Sequence, residues 1–253
     1  MKVELIAFTP NADDVCGVAA RACVSKDIPP SGSLFGDWST SENALRHAIQ
    51  SGHESVAEHA SFTFAVSGVS RALTHQLVRH RIASYSQQSQ RYVNMDGFEY
   101  VMPESIEYAV IEDNDTEGGD YSYYGYEAYE MLMDEISNLY KLLIERGVPE
   151  EDARYILPNA CCTNIIVTMN ARELRHFFAL RCCERAQWEI RELANKMLEL
   201  VEPVAPKLFE NAGPSCVQLG YCPEKKSCGK CVTKDELMEY GKSYRMLKKL
   251  AEE

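Results

Sequence analysis

Two hydrophobic periodicities alternate along the chain, and the expected elements follow from where each one holds. Val3 to Phe8 reads as a short strand, and Asp13 to Cys23 and Ser41 to Ser51 read as helices. Gly52, just past the second helix, is placed to close it in the left-handed conformation. Ser55 with Glu58 three residues on has the form of a capping box and predicts another helical start. Phe62, Phe64 and Val66 alternate with Thr63, Ala65 and Ser67, the period of a half-buried strand that ends at Gly68. From Val69 to about Ile82 the period becomes helical, with Leu73, Leu77 and Val78 directed inward. Residues 95–119 are irregular and acidic, with a surface loop expected at 117–120. Tyr121 to Glu145 predicts one long helix stopped by Gly147 and Pro149. Thr163 to Met169 is a third strand. Asn170 then caps a helix from Ala171 to about Cys183, with Glu173 completing a capping box. Gln187 to about Val201 forms another helix, ended by Pro203 and Pro206.

Helices dominate, and neither a repeat nor a linker interrupts the chain before residue 212. The expected architecture is α+β, a mixed fold in which long helices pack a small antiparallel sheet. A single domain over residues 1–212 would be followed by a cysteine-containing C-terminal extension, 213–253, with a charged helix from Asp235.

Composition narrows the function. Hydrophobic residues at 45% and charged residues at 25% are ordinary globular values. The formal net charge of −12 argues against a protein that coats nucleic acid or an anionic membrane through its overall field. No stretch approaches a membrane span of about 20 apolar residues, and Val3 to Phe8 is too short for a signal segment, so a cytoplasmic, soluble protein is expected. In that setting the ten cysteines are expected as reduced thiols.

The charge is segregated. Residues 59–95 hold no Asp, Glu or Lys but carry Arg71, Arg79, Arg81 and Arg91, a local net of +4. Residues 96–152 carry 17 acids and a net of −15, and residues 153–191 return to +3 with six arginines. Arginine without lysine suggests bidentate recognition of phosphate or carboxylate. Ion pairing of the same arginines with the acidic block remains the alternative.

Two polar constellations stand out. In the first, Arg79, His80 and Arg81 precede Ser84, Ser86, Gln87, Gln88, Ser89, Gln90, Arg91 and Tyr92. If Arg79 closes a helix, Arg79 and Arg81 lie about 200° apart and face different neighbours, as two adjacent anionic ligands would require. If the chain then extends, Gln87, Ser89 and Arg91 share one face, an amide, a hydroxyl and a guanidinium suited to a phosphorylated sugar and a heterocycle edge. A polar loop is the plain alternative. The second constellation comprises Arg154, then Asn170, Arg172 and His176, then Arg181; Arg172 and His176 share a helix face. Arg175 and Arg185 fit no such pattern and are expected at the solvated surface. His53, past the glycine cap, is structural or catalytic, and Ser55 a cap or a ligand. No glycine-rich dinucleotide loop, Walker loop or zinc-hydrolase motif occurs, so any bound phosphate must be held by arginines.

Arg79-His80-Arg81, a gap of seven residues, Ser89, and then Arg91-Tyr92 resemble the signature of the flavin-dependent thymidylate synthases. The likeness continues through Ser51 to Ser55, Glu58-His59, Phe62 to Phe64, Arg154, Leu157-Pro158, Asn170 to Arg172, Leu180-Arg181 and Ala186 to Ile190, covering most of residues 40–192. It implies methylation of dUMP to dTMP with methylenetetrahydrofolate as carbon donor, through FAD reduced by NADPH, in a homotetramer whose sites are shared between subunits. It further implies that Ser55, Arg79, His80, Arg81, Asn170, Arg172 and His176 contact FAD, with His53 near the flavin. Gln76, Arg79, Gln87, Gln88, Ser89, Gln90, Arg91, Arg154 and Arg181 would hold dUMP. Arg181, at the pyrimidine edge, would have the catalytic role, and Ser89 is read as a dUMP ligand, with nucleophilic attack at C6 the lesser alternative. The pattern varies at Ser86-Gln87, where Asn-Glu can occur, and at His176, where Asn is an alternative. No cysteine lies in the arginine–serine constellation, which disfavours the cysteine-nucleophile type of thymidylate synthase.

Cys216, Cys222, Cys228 and Cys231 cluster in the tail, but only the last pair has zinc spacing, so free thiols packing the extension are expected, with a structural zinc the lesser alternative. The competing function is a single-stranded nucleic-acid module using Arg79, Arg81, Arg91, Tyr85 and Tyr92.

Overall fold

The computed structural model describes residues 1–25, 38–113 and 121–241. The loop expected at 117–120 lies outside them, and of the C-terminal helix, residues 234–241 lie inside. Strand β1 (Lys2–Phe8) and helices α1 (Ala12–Ala22) and α2 (Trp38–Gln50) precede a 3-10 turn, Glu54–His59. Strand β2 (Ser61–Ser70), helix α3 (Arg71–Leu77) and strand β3 (Ala83–Gln87) come next. The acidic region holds α4 (Glu104–Glu107), β4 (Val110–Asp113), β5 (Tyr121–Tyr124), α5 (Gly125–Glu145) and α6 (Glu150–Ala153). Strand β6 (Cys162–Asn170) and helices α7 (Ala171–Arg181), α8 (Trp188–Val201) and α9 (Ser215–Leu219) follow. The main sheet has strand order β1-β2-β6-β3 and is antiparallel, so the fold is α+β as expected.

Contacts gather the chain into two compact units. The first takes Met1–Lys2, Ala65–Arg79 and Tyr85–Ile166; the second takes Val3–Phe64, His80–Ser84 and Val167–Glu253.

In the first unit, α5 lays Met133 and Tyr140 against Met95, Phe98, Ala153 and Cys161. The polar ends of the buried tyrosines are satisfied by backbone: Tyr140 Oη accepts from Met95 N–H at 3.2 Å, and Tyr129 Oη donates to the Val101 carbonyl at 3.0 Å. Helix α3 begins at Ser70, whose Oγ accepts from Leu73 N–H at 3.0 Å. It stops at Leu77, five residues short of the predicted end, and Val78 is exposed rather than inward. The long helix predicted from Tyr121 is also corrected. Residues 121–124 pair with 110–113 as an antiparallel ladder, and the helix starts at Gly125. A tyrosine run suits strand as well as helix, so composition alone could not separate them. Gly125 must be glycine, because a Cβ there would collide with the Ile106 carbonyl.

In the second unit, Phe62, Phe177, Phe178 and Phe209 are all but fully buried. Phe209 meets Phe62 and Phe178 edge-on, with centroids 5.3 and 6.0 Å away. Burial of each such ring contributes roughly 1.5–3 kcal/mol. Helix α1 approaches α2 at Gly17, where a Cβ would come 2.8 Å from the Ser41 carbonyl oxygen. Asp13 in the first turn of α1 accepts from the backbone N–H groups of Lys207 and Leu208, both at 2.9 Å, and ties down the chain after α8. Among the described residues no helix is long and apolar enough to cross a membrane.

Candidate active site

The first unit carries most of the residues expected to hold a nucleotide. Gln87 ends β3, and its Nε2 donates to Thr74 Oγ1 at 3.1 Å and to Thr163 Oγ1 at 3.4 Å. The chain then turns: Gln88 N–H reaches the Asn164 carbonyl at 2.9 Å, and the Ser89 carbonyl accepts from Tyr92 and Val93 N–H at 3.3 and 3.1 Å. Gln87, Ser89 and Arg91 therefore do not form one extended face, which corrects the period-2 expectation. Ser89 Oγ accepts from Arg91 N–H at 3.3 Å, and among the described residues no basic side chain is hydrogen-bonded to it. Gln90 is buried, its amide 3.7 Å from Cys161 Sγ.

Arg91 pairs with Glu151 at 3.2 Å and lies over the Tyr92 ring at 5.3 Å from its centroid. Arg154 Nε donates to the Glu151 carbonyl at 3.1 Å, so one residue gathers two arginines. Arg71, which the sequence flagged only through its charge, joins them electrostatically: burial lowers its pKa, and Arg154 adds to that shift. Gln76 is half-buried and Arg79 exposed. Helix α3 has already ended, so the 200° separation of Arg79 and Arg81 does not arise from a helix. Tyr85 Oη donates to the Leu77 carbonyl at 2.8 Å, so of the two tyrosines expected to stack on bases only Tyr92 is an exposed ring.

The second unit carries most of the residues expected to hold a flavin. Helix α2 ends in a Schellman motif: Gly52 N–H reaches the Ile49 carbonyl at 3.0 Å and His53 N–H the Ala48 carbonyl at 2.8 Å. Gly52 takes φ 78°, as predicted, and leaves His53 exposed. Ser55 is not the cap of the 3-10 turn Glu54–His59, whose N-cap position falls on His53. The serine lies inside that turn, exposed, which corrects the expected capping box. Arg81 is exposed as well.

Helix α7 organises the rest. Asn170 Oδ1 accepts from Glu173 N–H at 2.8 Å, the predicted cap. The reciprocal half of the box is not formed, because the Glu173 carboxylate instead meets His80 Nδ1 at 3.2 Å. Arg172 and His176 share an exposed face, as expected from their spacing, and Arg172 pairs with Glu58. Arg175 overturns the surface expectation. It is 6% exposed, and its guanidinium reaches Glu54 at 3.3 Å and the Leu208 carbonyl at 2.8 Å. Both partners are distant in sequence, so spacing could not reveal them. Arg181, half-buried in the last turn of α7, donates through Nε to His80 Nε2 at 3.1 Å. His80 is 5% exposed and meets Phe177 edge-on at 4.9 Å. Burial, then Arg181 and His176, lowers its pKa to about 4, so the ring is neutral near neutrality. Burial raises the pKa of Glu173, opposed by His176 and Arg172.

All ten cysteines are free thiols. Cys216 and Cys231 line a cavity of about 500 Å³ beside Arg181, and burial first, with Cys231 next, raises Cys216 to about 11. Among the described residues no three His, Cys, Asp or Glu side chains converge to hold a metal ion.

Residues 4–207 match the family model described as thymidylate synthase complementing protein. The chain is 51% identical over 236 residues to the flavin-dependent thymidylate synthase of Geobacter sulfurreducens, covering 91% of this chain and 94% of that protein. It is 50% identical over 242 residues to the enzyme of the same name from Clostridium tetani, with 91% and 94% coverage. A third, from Pyrococcus furiosus, is 49% identical over 211 residues, covering 76% and 81%.

Proposed function

The chain belongs to the flavin-dependent thymidylate synthase family and is an enzyme, and on that premise we propose that it converts dUMP to dTMP. The one-carbon unit comes from methylenetetrahydrofolate and becomes the methyl group at C5, and the C5 hydrogen leaves as a proton. FAD, when bound, would supply the hydride, with its two electrons drawn from NADPH.

The donor set of the second unit fits a flavin dinucleotide. Arg81 and Arg172 are exposed cations, Ser55 an exposed hydroxyl and His53 and His176 exposed imidazoles, suited to a pyrophosphate and a polar ring edge. The Arg172–Glu58 pair is half-exposed, so exchanging Glu58 for a phosphate is a small energetic step. With Arg79 and Asn170 these residues form the FAD set. His80, between Arg79 and Arg81, belongs to the same set, its ring buried against Glu173 and Arg181.

Gln76, Arg79, Gln87, Gln88, Ser89, Gln90, Arg91, Arg154 and Arg181 form the dUMP set, to which Arg71 adds charge beside Arg154. The turn at Ser89 offers hydroxyl, backbone and guanidinium donors within three residues, a compact cradle for a phosphate. Ser89 serves as a ligand in this reading, since among the described residues no base is hydrogen-bonded to its hydroxyl. The observation that carries the reading is Arg181, a half-buried guanidinium whose Nε is already engaged. Its two Nη groups remain to face N3 and O2 of the pyrimidine. Negative charge developing there is stabilised in a low-dielectric setting, and C5 becomes the nucleophile. The enzyme works as a cytoplasmic homotetramer with shared sites, so the two sets need not come from one copy of the chain.

Release of tritium from 5-tritiated dUMP, dependent on NADPH and methylenetetrahydrofolate, tests the reading. Well-folded, FAD-loaded protein that releases none would overturn it.

A further inference from the structure

We propose that His80 and Glu173 are positioning residues that set the orientation of Arg181, so that the motif histidine serves the nucleotide arginine through its ring. The inference deepens the dUMP reading and rests on it for its functional consequence, but the link itself is a property of the chain alone.

The hydrogen-bond chemistry allows one arrangement. An arginine Nε–H can only donate, so His80 Nε2, 3.1 Å away, must present its lone pair. The ring proton is then on Nδ1, which donates to Glu173 Oε1 at 3.2 Å. Glu173 is itself placed by the first turn of α7, where its backbone N–H is held by Asn170. The chain of contacts thus runs from the start of α7, through a ring, to the last residue of the same helix. Phe177 fixes the ring plane from one side, and His80 and Glu173 are 5% and 6% exposed. Water cannot readily replace either bond, and each holds its neighbour more firmly than a surface contact would.

The consequence for Arg181 is angular. A guanidinium on a long side chain normally samples many rotamers, and anchoring Nε removes the rotation of its plane. Only the two Nη groups stay available, and they lie in that fixed plane. A protonated His80 would set a second donor against Nε–H and expel the arginine from this pose. The pKa shift of the ring, to about 4, acts in the direction that keeps the acceptor present.

Two kinds of measurement test this in the FAD-loaded enzyme. Histidine ¹⁵N resonances of the wild-type protein report the tautomer directly. A protonated Nδ1 and an unprotonated Nε2 on His80 are expected, and the reverse overturns the proposal whatever the activity. Substitution gives the functional half. His80→Asn keeps a polar group near Glu173 but is too short to reach Arg181, whereas His80→Gln places an oxygen near the position of Nε2. His80→Asn should weaken dUMP binding about tenfold, in keeping with loss of a hydrogen bond to a charged group, and should lower kcat. The KM for methylenetetrahydrofolate and the flavin content should hold. His80→Gln should recover most of the loss, and His80→Asn added to Arg181→Ala should cost nothing more. Equal loss in the Asn and Gln variants, or flavin loss with dUMP affinity intact, overturns the proposal. Unchanged dUMP affinity in Arg181→Ala would instead remove Arg181 from the nucleotide set and leave the tautomer result standing. Glu173→Gln, which keeps an oxygen acceptor, should weaken dUMP binding by only about threefold, and a loss matching Arg181→Ala would count against the two-link arrangement.

Discussion

Strand β2 runs into α3 at Ser70, and β6 runs into α7 at Asn170, and the two junctions begin alike. Each strand alternates buried with more open positions, and each helix opens on a side-chain oxygen that accepts the N–H three residues on, from Leu73 at 3.0 Å and Glu173 at 2.8 Å. They differ in how far the apolar repeat continues. After Leu73 and Leu77 the next residue, Val78, is exposed, and α3 stops at seven residues. In α7, Leu174, Phe177 and Phe178 are followed by buried Cys182, and the helix runs eleven residues. Arg81 and Arg181 both lie eleven residues past their caps. Arg81 hangs on exposed non-helical chain, while Arg181 still sits on a helical turn with a histidine on its Nε. The start signal sets where a helix begins, but the length of the buried stripe decides whether a cation beyond it is loose or aimed.

Shortening that stripe should do the most damage. Phe178→Ala removes a fully buried ring from α7 and is expected to cost about 3–5 kcal/mol in urea unfolding. A cost below about 1 kcal/mol would mean that packing does not sustain the helix.

The two arginines should then part company in function. Arg181→Ala is expected to lower kcat/KM for dUMP roughly a hundredfold or more, the scale for losing a charge stabiliser in a water-poor site. Arg81→Ala should instead reduce FAD retention, about tenfold, and leave dUMP affinity within about threefold. Identical profiles for the two variants would erase the distinction.

A third way to sharpen it is pH. The folded His80 pKa, about 4, lies below the unfolded value near 6.5, so the unfolded chain takes up a proton that the folded chain refuses. Stability is therefore lost as pH falls from about 6.5 to 4, by on the order of 2–3 kcal/mol from this group. Glu173, His176 and Arg181 face the ring, and the raised pKa of Glu173 works in the opposite sense, stabilising at lower pH. The difference between wild type and His80→Gln isolates the histidine, and parallel stability curves across that range would refute its part.

The smallest effect belongs to the starts that the two junctions share. Ser70→Ala and Asn170→Ala should each cost about 1 kcal/mol in thermal unfolding. Only Asn170→Ala should also disturb His80, since it loosens the turn that carries Glu173.

These contrasts mark what the sequence could and could not disclose. Strands β2 and β6, helices α7 and α8 and the Asn170 cap were legible because alternation, helical period and caps are local signals. The early end of α3 was not, since Val78 looks apolar in any window and only its surroundings expose it. Ladder β4–β5 was missed because both strands are four residues long and one is made of residues that also fit a helix. Within the site, residue types and order pointed to arginine-held anions. The burial of Arg175, the charge of Arg71 beside Arg154, and the engagement of Glu173 with a ring 93 residues away needed coordinates. Contacts at that separation leave no trace in spacing.

The interleaving of the two compact units has a meaning for the gene. The chain passes between them at residues 2–3, 64–65, 79–80, 84–85 and 166–167, so neither is a continuous stretch of sequence. One of those crossings cuts the Arg79-His80-Arg81 motif itself. A single recombination event could not exchange one unit for a homologous one without also carrying part of the other.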